Sequence, residues 1–362
     1  MSLVGRVIGW IGIYLAVCVA PLVLALLGDR PPGRDIVTEV SVGLGFVGLS
    51  LMGLQFVLIG RFQTVAGAFG DDAVIGFHRH MGYVAFAMIL AHPALLFLTD
   101  TPMGRLLNPV TAPWRARFAV TATVLLVLLV VTSVWRRRLR IRYEIWQVLH
   151  GVLSVAIVGL ALAHILLVGY YVNEPWKRAV WVVMTATFVA MLGWIRIVRP
   201  VVRLGRPWEV AQVRPERGNS WTVRFRPIGH AGIRFEPGQF GWVIVGRGPF
   251  ASTQHPFSFS SSAEVDDGSV EMTIKAAGDF TSTVGDLRPG TKAWLDGPHG
   301  VFTPDRNEGA GFVLIGGGVG ITPLMSIMRT MADRDDRRPV LLVVGNPRLE
   351  DATFYEEIEA LT

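Results

Sequence analysis

Residues 78–92 read HRHMGYVAFAMILAH and residues 150–164 read HGVLSVAIVGLALAH, so two apolar segments each begin and end on a histidine. Fourteen steps of about 100° bring a helix to within about 40° of four full turns, so both histidines of a segment lie on one helix face, about 21 Å apart. Neutral imidazole is the usual axial ligand of haem iron, and iron held by two histidines suits electron transfer. Two such helices side by side therefore predict two haems stacked across a membrane.

The four histidines that end these segments are the candidate iron ligands: His78, His92, His150 and His164. A single histidine on an apolar face is more often a hydrogen-bonded structural residue, but four at matched spacing favour metal ligation. His80 precedes His92 by twelve residues, which places it about 120° away from the shared face. We therefore expect His80 and its neighbour Arg79 to contact lipid headgroups or haem propionates near the inner membrane surface.

The composition predicts a membrane part followed by a soluble part. Apolar residues make up 51% of the 362 residues and charged residues only 17%, which is below the usual quarter for a soluble domain. The charge deficit is confined to the chain before about Trp194, whereas the chain after Arg206 resembles an ordinary soluble protein. The soluble part is large enough for one complete domain and some of another.

Six apolar stretches have about the 20 residues that a helix needs to cross a bilayer. They cover residues 7–27, 40–60, 77–98, 117–135, 146–168 and 177–197. The first stretch lacks a small-residue cleavage site and is followed by further spans, so we interpret it as a retained helix and not as a signal peptide.

The excess of basic residues indicates topology and not nucleic-acid binding. The formal net charge is +6, and five arginines lie within the short loop between residues 136 and 142. The positive-inside rule places this loop in the cytoplasm, with phospholipid headgroups as its counterions. The third and fifth spans then run parallel from inside to outside, with His78 and His150 near their inner ends and His92 and His164 near their outer ends.

Beyond residue 206, short alternating segments rich in β-branched residues predict a small antiparallel barrel. The predicted strands are Trp208–Val213, Trp221–Phe225, Gly241–Val245, Phe257–Ser260, Val270–Lys275 and Lys292–Leu295. From Gly311 the pattern changes to strand, helix, strand, helix, which predicts the start of an α/β lobe. These elements are Phe312–Ile315, Thr322–Asp333, Val340–Val344 and Thr353–Leu361.

Two motifs in the barrel segment could hold a flat, phosphate-bearing cofactor. The run His255-Pro256-Phe257-Ser258 offers an aromatic ring for stacking, a hydroxyl for a ring nitrogen and a proline-stiffened backbone. The run from Lys275 through Gly278, Phe280, Thr281 and Ser282 places a glycine and hydroxyls before a short helix. Amides at a helix start bind phosphate oxygens. Either motif alone is equally compatible with an edge strand or a capped turn.

A glycine-rich loop joins the first strand of the α/β lobe to its helix. Gly316, Gly317, Gly318 and Gly320 allow a pyrophosphate to approach the backbone, and Thr322-Pro323 suits the first helical turn. No Gly-Lys-Ser/Thr follows, so this is not a Walker loop.

The order of these motifs resembles the ferric reductase/NADPH oxidase family over almost the whole chain. The resemblance implies a multi-domain membrane protein with a six-span di-haem domain in residues 1–200, a ferredoxin-reductase-like FAD barrel in 206–303 and a partial NAD(P)-binding α/β lobe in 310–362. It implies that His78 pairs with His150, and His92 with His164, on two b-type haems. It also implies that Ser258 lies near the flavin N5.

By the same resemblance, three groups of residues bind the remaining cofactors. His255, Pro256 and Phe257 surround the flavin; Lys275, Gly278, Phe280, Thr281 and Ser282 form the FAD pyrophosphate segment; and Gly316 to Pro323 form the nicotinamide dinucleotide loop that would take NAD(P)H. Arg348 is either a contact for a 2′-phosphate or an ordinary solvated arginine.

Two departures from the family pattern modify these expectations. The sequence stops at Thr362 without the Cys-Gly-Pro segment and terminal aromatic residue of the family, so we expect a shortened product or fragment, or a partner that completes the nicotinamide lobe. Animal superoxide-producing members carry extra histidines in the third span, where this chain has Met88 and Leu96. This difference favours a ferric chelate over dioxygen as the electron acceptor.

The sequence thus predicts a plasma-membrane NAD(P)H oxidoreductase whose FAD and NAD(P) domains are cytoplasmic and whose small-molecule acceptor lies outside. One alternative is an oxidase that reduces dioxygen to superoxide. Another is a haem subunit that conducts electrons from quinone or a partner protein; known proteins of that kind lack a flavin barrel.

Overall fold

The computed structural model describes residues 3–99 and 101–361. The chain divides between Arg196 and Ile197 into two compact units. The helices of the first unit are α1 (Leu3–Leu26), α2 (Ile36–Leu58), α3 (Gln63–Phe69), α4 (Asp71–Leu96), α5 (Met103–Leu106), α6 (Trp114–Val134), α7 (Tyr143–Val168) and α8 (Pro175–Gly193).

Six helices are long and apolar enough to cross a membrane, namely α1, α2, α4, α6, α7 and α8. The last of these continues through a π-helical turn (Trp194–Val198) and α9 (Arg199–Leu204). The six spans predicted from the sequence are confirmed. The third begins earlier than predicted, at Asp71, because Asp71 and Asp72 occupy its first turn, where carboxylates interact favourably with the helix dipole.

Helix α2 is the most buried of the six spans and packs against α1, α4 and α8. Its glycines allow close approach: a Cβ atom added at Gly53 would lie 2.0 Å from the ring of Phe188 on α8. Helices α6 and α7 form a second closely packed pair, with Leu126, Leu153 and Ile157 in their shared core.

The second unit begins with a curled antiparallel sheet. Its strands are β1 (Trp208–Glu216), β2 (Ser220–Pro227), β3 (Phe240–Val245), β4 (His255–Ser258), β5 (Val270–Lys275) and β6 (Lys292–His299), in the order β4-β3-β6-β1-β2-β5. The two ends of the sheet meet through a Phe259–Met272 bridge and a 2.7 Å bond from the Ser260 amide to the Glu271 carbonyl. The predicted barrel is therefore confirmed.

An α/β lobe follows, with β7 (Phe312–Gly317), α10 (Ile321–Asp333), β8 (Val340–Gly345) and α11 (Tyr355–Ala360). Strands β7 and β8 are parallel, with Val313 beside Leu341 and Ile315 beside Val343. The residues between these, such as Leu314, pack on α10. Val313, Ile315, Leu341 and Val343 are 64%, 74%, 61% and 48% exposed, so the opposite sheet face is open and apolar.

Gly53→Ala should destabilise the helix bundle because the new methyl group would overlap the Phe188 ring. Overpacking of this kind costs about 1–3 kcal/mol. Gly159→Ala on α7 is the matched control, since nothing lies within 4 Å of its Cβ position. Thermal unfolding of detergent-purified protein should show a lower Tm for the first variant only, and equal Tm values would contradict the packing described here.

Candidate cofactor sites

The histidines near the ends of α4 and α7 face one another. The ring centroids of His92 and His164 are 6.4 Å apart, with their planes inclined by 59°. His78 and His150, near the beginnings of the same helices, are also close to each other. The two helices are therefore parallel at these positions. We call His78/His150 the inner pair and His92/His164 the outer pair.

The separation of the outer pair fits an iron ion between the two rings. A metal–imidazole bond is about 2.0–2.1 Å, and the ring centroid lies about 1.2 Å beyond the bonded nitrogen, so two axial imidazoles have centroids about 6.4 Å apart. The observed distance is 6.4 Å. No cluster of three or more His, Cys, Asp or Glu side chains that could hold a metal ion occurs among residues 3–99 and 101–361.

Hydrogen bonds fix the orientation of both outer rings. Nδ1 of His92 lies 2.9 Å from the backbone oxygen of Ser41, and Nδ1 of His164 lies 2.8 Å from the backbone oxygen of Arg115. A carbonyl only accepts, so each Nδ1 carries the proton and each Nε2 keeps a lone pair for a metal. The Ser41 hydroxyl also donates to the His92 carbonyl over 2.7 Å.

A cavity of about 410 Å³ surrounds the outer pair. Its lining is mostly apolar, and in the described part of the chain it carries two cationic side chains, Arg34 and Arg115, and no carboxylate. The Arg34 guanidinium lies 4.2 Å from the centroid of the Tyr170 ring and 5.4 Å from that of Tyr171. Burial raises the pKa of Tyr171, as does the hydrogen bond that its phenol donates to Glu39. The Tyr171 phenol beside the cavity therefore stays protonated.

The inner pair has a different environment. Nδ1 of His150 lies 3.2 Å from the hydroxyl oxygen of Ser133 on α6, and the ring lies 5.1 Å from the Trp146 ring. His80, by contrast, is exposed and bonds through Nδ1 to the Gly76 carbonyl of its own helix over 2.7 Å. His80 is thus hydrogen-bonded within its own helix and exposed.

The two barrel motifs come together in the second unit. The rings of His255 on β4 and Phe280 after β5 stack with centroids 4.0 Å apart and planes inclined by 4°. The Phe257 ring is nearly parallel to both, at 6.3 and 6.2 Å. Parallel aromatic rings at the meeting point of two sheet ends fit a flat ring system such as a flavin.

The candidate phosphate segment forms a turn before a 3₁₀ helix, Thr281–Asp286. The Thr281 hydroxyl accepts hydrogen bonds from the amides of Ala277 and Gly278 over 2.9 and 2.8 Å. These two amides are therefore engaged within the turn. Lys275 ends β5, beside this turn.

The glycine-rich loop joins β7 to α10 as predicted. A Cβ at Gly316 would meet Leu324 at 2.9 Å, so this glycine permits close packing of the loop on α10. Gly318 has φ +51°, and nothing lies within 4 Å of a Cβ at Gly318 or Gly320, so this side is open to a ligand. Thr322 is buried and donates to the Val319 carbonyl over 2.8 Å, which gives it a structural role in the loop.

Buried polar bonds attach α10 to the barrel. Ser326 donates to the Ser261 carbonyl over 2.8 Å, and Arg329 donates to the Ser260 carbonyl over 2.6 Å. Arg329 also forms an ion pair with Glu357 of α11 at 2.6 Å. Burial alone would lower the pKa of Arg329, but hydrogen bonding and charge attraction from Glu357 outweigh it and raise that pKa above its usual value.

Sequence reasoning missed several groups that shape these sites. Ser41 and Ser133 contact the histidine rings, Arg34 and Tyr170 lie over the outer cavity, and Arg329 links the barrel to the α/β lobe. The only available signal was that polar side chains are unusual within membrane spans. Arg348 pairs with Glu350 at 3.0 Å and is largely exposed, as a solvated arginine would be.

Comparison with known families matches both halves of the chain. Residues 44–161 match the ferric reductase like transmembrane component, and residues 314–362 match an oxidoreductase NAD-binding domain. The first match contains all of α4 and the part of α7 up to residue 161, with three of the four candidate ligands.

Three relatives illustrate the range of similarity. Ferric reduction oxidase 5 of Arabidopsis thaliana is 22% identical over 87% of this chain and 44% of its own length. A probable dihydroorotate dehydrogenase B (NAD(+)) electron transfer subunit of Methanopyrus kandleri is 33% identical over 43% of this chain and 55% of its own length. The propane 2-monooxygenase reductase component of Rhodococcus jostii is 30% identical over 41% and 40%. The chain spans about half the length of these relatives.

Among solved structures, the ferredoxin reductase of carbazole 1,9a-dioxygenase is 26% identical over 42% of this chain and 46% of that chain, with a TM-score of 0.38. Six membrane-spanning helices joined to a reductase unit define a multi-pass membrane oxidoreductase. Within that class, the chain is similar to ferric reductases: it has a segment like their transmembrane component and a segment like an NAD-binding oxidoreductase domain in one polypeptide. The resemblance predicted from the motifs is confirmed.

Arg329→Gln should loosen the α/β lobe from the barrel because it leaves Glu357 and the Ser260 carbonyl without their partner. Unsatisfied buried groups of this kind cost about 1–3 kcal/mol. Arg337→Gln is the control, since Arg337 pairs with Asp335 and both side chains are at least 80% exposed. Trypsin should cleave the second unit of the Arg329 variant faster than that of the wild type; equal rates would show that Arg329 does not hold the lobe.

Proposed function

We propose that the protein transfers electrons from cytoplasmic NAD(P)H, through FAD and two b-type haems, to an acceptor on the opposite side of the plasma membrane. The observation that carries this proposal is the facing arrangement of His92 and His164 at 6.4 Å inside a ferric-reductase-like membrane domain. That separation suits one iron ion, and the chain also has a reductase segment that can supply electrons.

The membrane domain contributes orientation. Haem, when bound, carries single electrons, and the protein determines its ligands, potential and access. The backbone carbonyls of Ser41 and Arg115 bind Nδ1 of the outer rings, which leaves the lone pair of each Nε2 for a metal. The cavity lining is mostly apolar, which would disfavour water beside a bound haem. The parallel α4 and α7 place the second site about 21 Å further along the helix axes.

The second unit contributes cofactor binding. The parallel rings of His255, Phe257 and Phe280 would hold the flavin ring, with the Ser258 hydroxyl toward its N5. Lys275 and the hydroxyls of Thr281 and Ser282 would face its phosphates. The open side of Gly317, Gly318 and Gly320 would receive the pyrophosphate of NAD(P)H, with Pro323 in the first turn of α10.

A ferric chelate is the favoured acceptor. Arg34 and Arg115 place positive charge at the outer cavity, and no carboxylate lies among its described lining residues. Ferric chelates are commonly anionic, so this charge would attract them. Leu96 lines the same cavity, and Met88 lies on the same helix, in place of the extra histidines of superoxide-producing members.

His92→Ala should remove one of two haems because the outer iron would lose an axial ligand. His80→Ala is the matched control on the same helix, since His80 bonds to Gly76 of its own helix and is exposed. Haem per chain, measured by pyridine haemochrome assay, should fall from two to one in the first variant and stay at two in the second. Unchanged haem content in His92→Ala would contradict the ligand assignment.

The acceptor can be identified without the nicotinamide lobe. The detergent-purified protein is reduced with dithionite under anaerobic conditions, freed of excess reductant and exposed separately to air and to ferric citrate. We expect low-spin haem bands that reoxidise faster with the chelate. Fast reoxidation only in air, with superoxide formed, would identify an oxidase. In a separate binding measurement, absence of bound FAD at saturating added FAD would favour a haem subunit that receives electrons from a partner.

A further inference from the structure

The four candidate ligands differ in the group that accepts their Nδ1 proton. Both histidines of the outer pair donate to backbone carbonyls, at 2.9 and 2.8 Å, and Nδ1 of His92 also lies 3.0 Å from the Ser41 hydroxyl. His150 of the inner pair instead meets a side-chain hydroxyl, that of Ser133, at 3.2 Å. Nδ1 of His78 is buried and has no hydrogen bond of ordinary length among the described residues. The backbone of Gln55 is near this nitrogen, beyond ordinary hydrogen-bond length.

The hydrogen bonds of Ser133 determine the tautomer of His150. The Ser133 hydroxyl donates its proton to the Leu129 carbonyl over 2.6 Å, so it has no proton left for the imidazole. Its oxygen must therefore accept from Nδ1–H of His150, which leaves the lone pair on Nε2. The indole Nε1 of Trp146 donates to the same oxygen over 3.3 Å.

Ser133 is thus a weak acceptor for His150. A hydroxyl oxygen has two lone pairs, and here the indole competes for the same oxygen. A weaker acceptor leaves less negative charge on the imidazole ring, and a less basic ligand stabilises ferric iron less. The carbonyls of Ser41 and Arg115 accept from His92 and His164, and no other side-chain donor is recorded at either carbonyl among the described residues. Both bonds are shorter than the 3.2 Å contact between His150 and Ser133.

We propose that Ser133 is a positioning residue of the inner haem site, and that its shared hydroxyl gives this site a higher reduction potential than the outer site. The inference rests on the proposed function, since it assumes a haem between His78 and His150. Both outer histidines have a main-chain carbonyl as acceptor, whereas the acceptor of His150 is a side chain, so the inner potential responds to residue 133.

A structural role for Ser133 alone predicts something different. Its bond to Leu129 is an ordinary bond within α6, and a serine that only completes this bond would influence stability and not potential. Ser154 provides the comparison. Its hydroxyl donates to the backbone carbonyl of His150 over 2.7 Å, so it contacts the same residue without contacting the ring.

The test is a spectroelectrochemical titration of the purified full-length chain, with two resolved midpoint potentials in the wild type. Ser133→Ala should raise the upper potential, by up to about tenfold in the redox equilibrium constant, which is about 59 mV for one electron. Trp146→Phe removes the competing donor and should lower the same potential. Ser133→Thr, which keeps the hydroxyl, should have the same upper potential as the wild type.

One control should leave both potentials unchanged. Ser154→Ala removes a hydroxyl that bonds to the His150 backbone carbonyl and keeps the contacts of the His150 ring with Ser133 and Trp146. Low-spin g values from electron paramagnetic resonance should change for one haem only in the Ser133→Ala and Trp146→Phe variants.

The outcomes separate this inference from the proposed function. If two haems bind but Ser133→Ala and Trp146→Phe leave both potentials unchanged, or shift the lower one, the inference is wrong while the proposed function stands. If His150→Ala leaves haem content unchanged, the proposed ligand set itself fails. If Ser133→Ala does not fold, two other variants test the inference. Trp146→Phe should still lower the upper potential, and Ser133→Thr should leave it unchanged.

Discussion

An imidazole ring buried in a membrane helix needs a partner for its Nδ1–H, and this requirement organises the helix bundle. An unsatisfied polar group in a bilayer costs several kcal/mol. For three of the four paired histidines the partner comes from a neighbouring helix. Helix α2 presents Ser41 to His92, and α6 presents Arg115 to His164 and Ser133 to His150.

This arrangement explains why α4 packs with α2 and α7 packs with α6. Each ligand-bearing helix is held by a helix that supplies hydrogen-bond acceptors, while the faces of α4 and α7 that carry the histidines turn toward each other. The space left between them is the outer cavity. The same helix contacts thus create the cavity and orient the rings within it.

The sequence predicted the parts of this protein that depend on local patterns. Fourteen-residue spacing identified the two helices whose histidines face each other, apolar length identified the spans, and Gly/Pro turns marked the barrel strands. Contacts between distant residues were not predictable: Ser41 and His92 are 51 positions apart, and His164 and Arg115 are 49 apart. Backbone carbonyls carry no side-chain signature at all, so the acceptors of the outer pair could not be found before the fold was known. Strand β6 also extends to His299, beyond the predicted Leu295, because Phe240 of β3 pairs with His299.

The open apolar face of β7 and β8 links the stability of the α/β lobe to whatever covers it. Parallel sheets in water normally have both faces covered, and here Val313, Ile315, Leu341 and Val343 remain accessible. Each Å² of such surface removed from water contributes about 25 cal/mol. By mass action, any segment that binds only the folded face stabilises the lobe in proportion to the logarithm of its concentration. The melting temperature of the lobe is therefore a property of its surroundings as well as of its own residues.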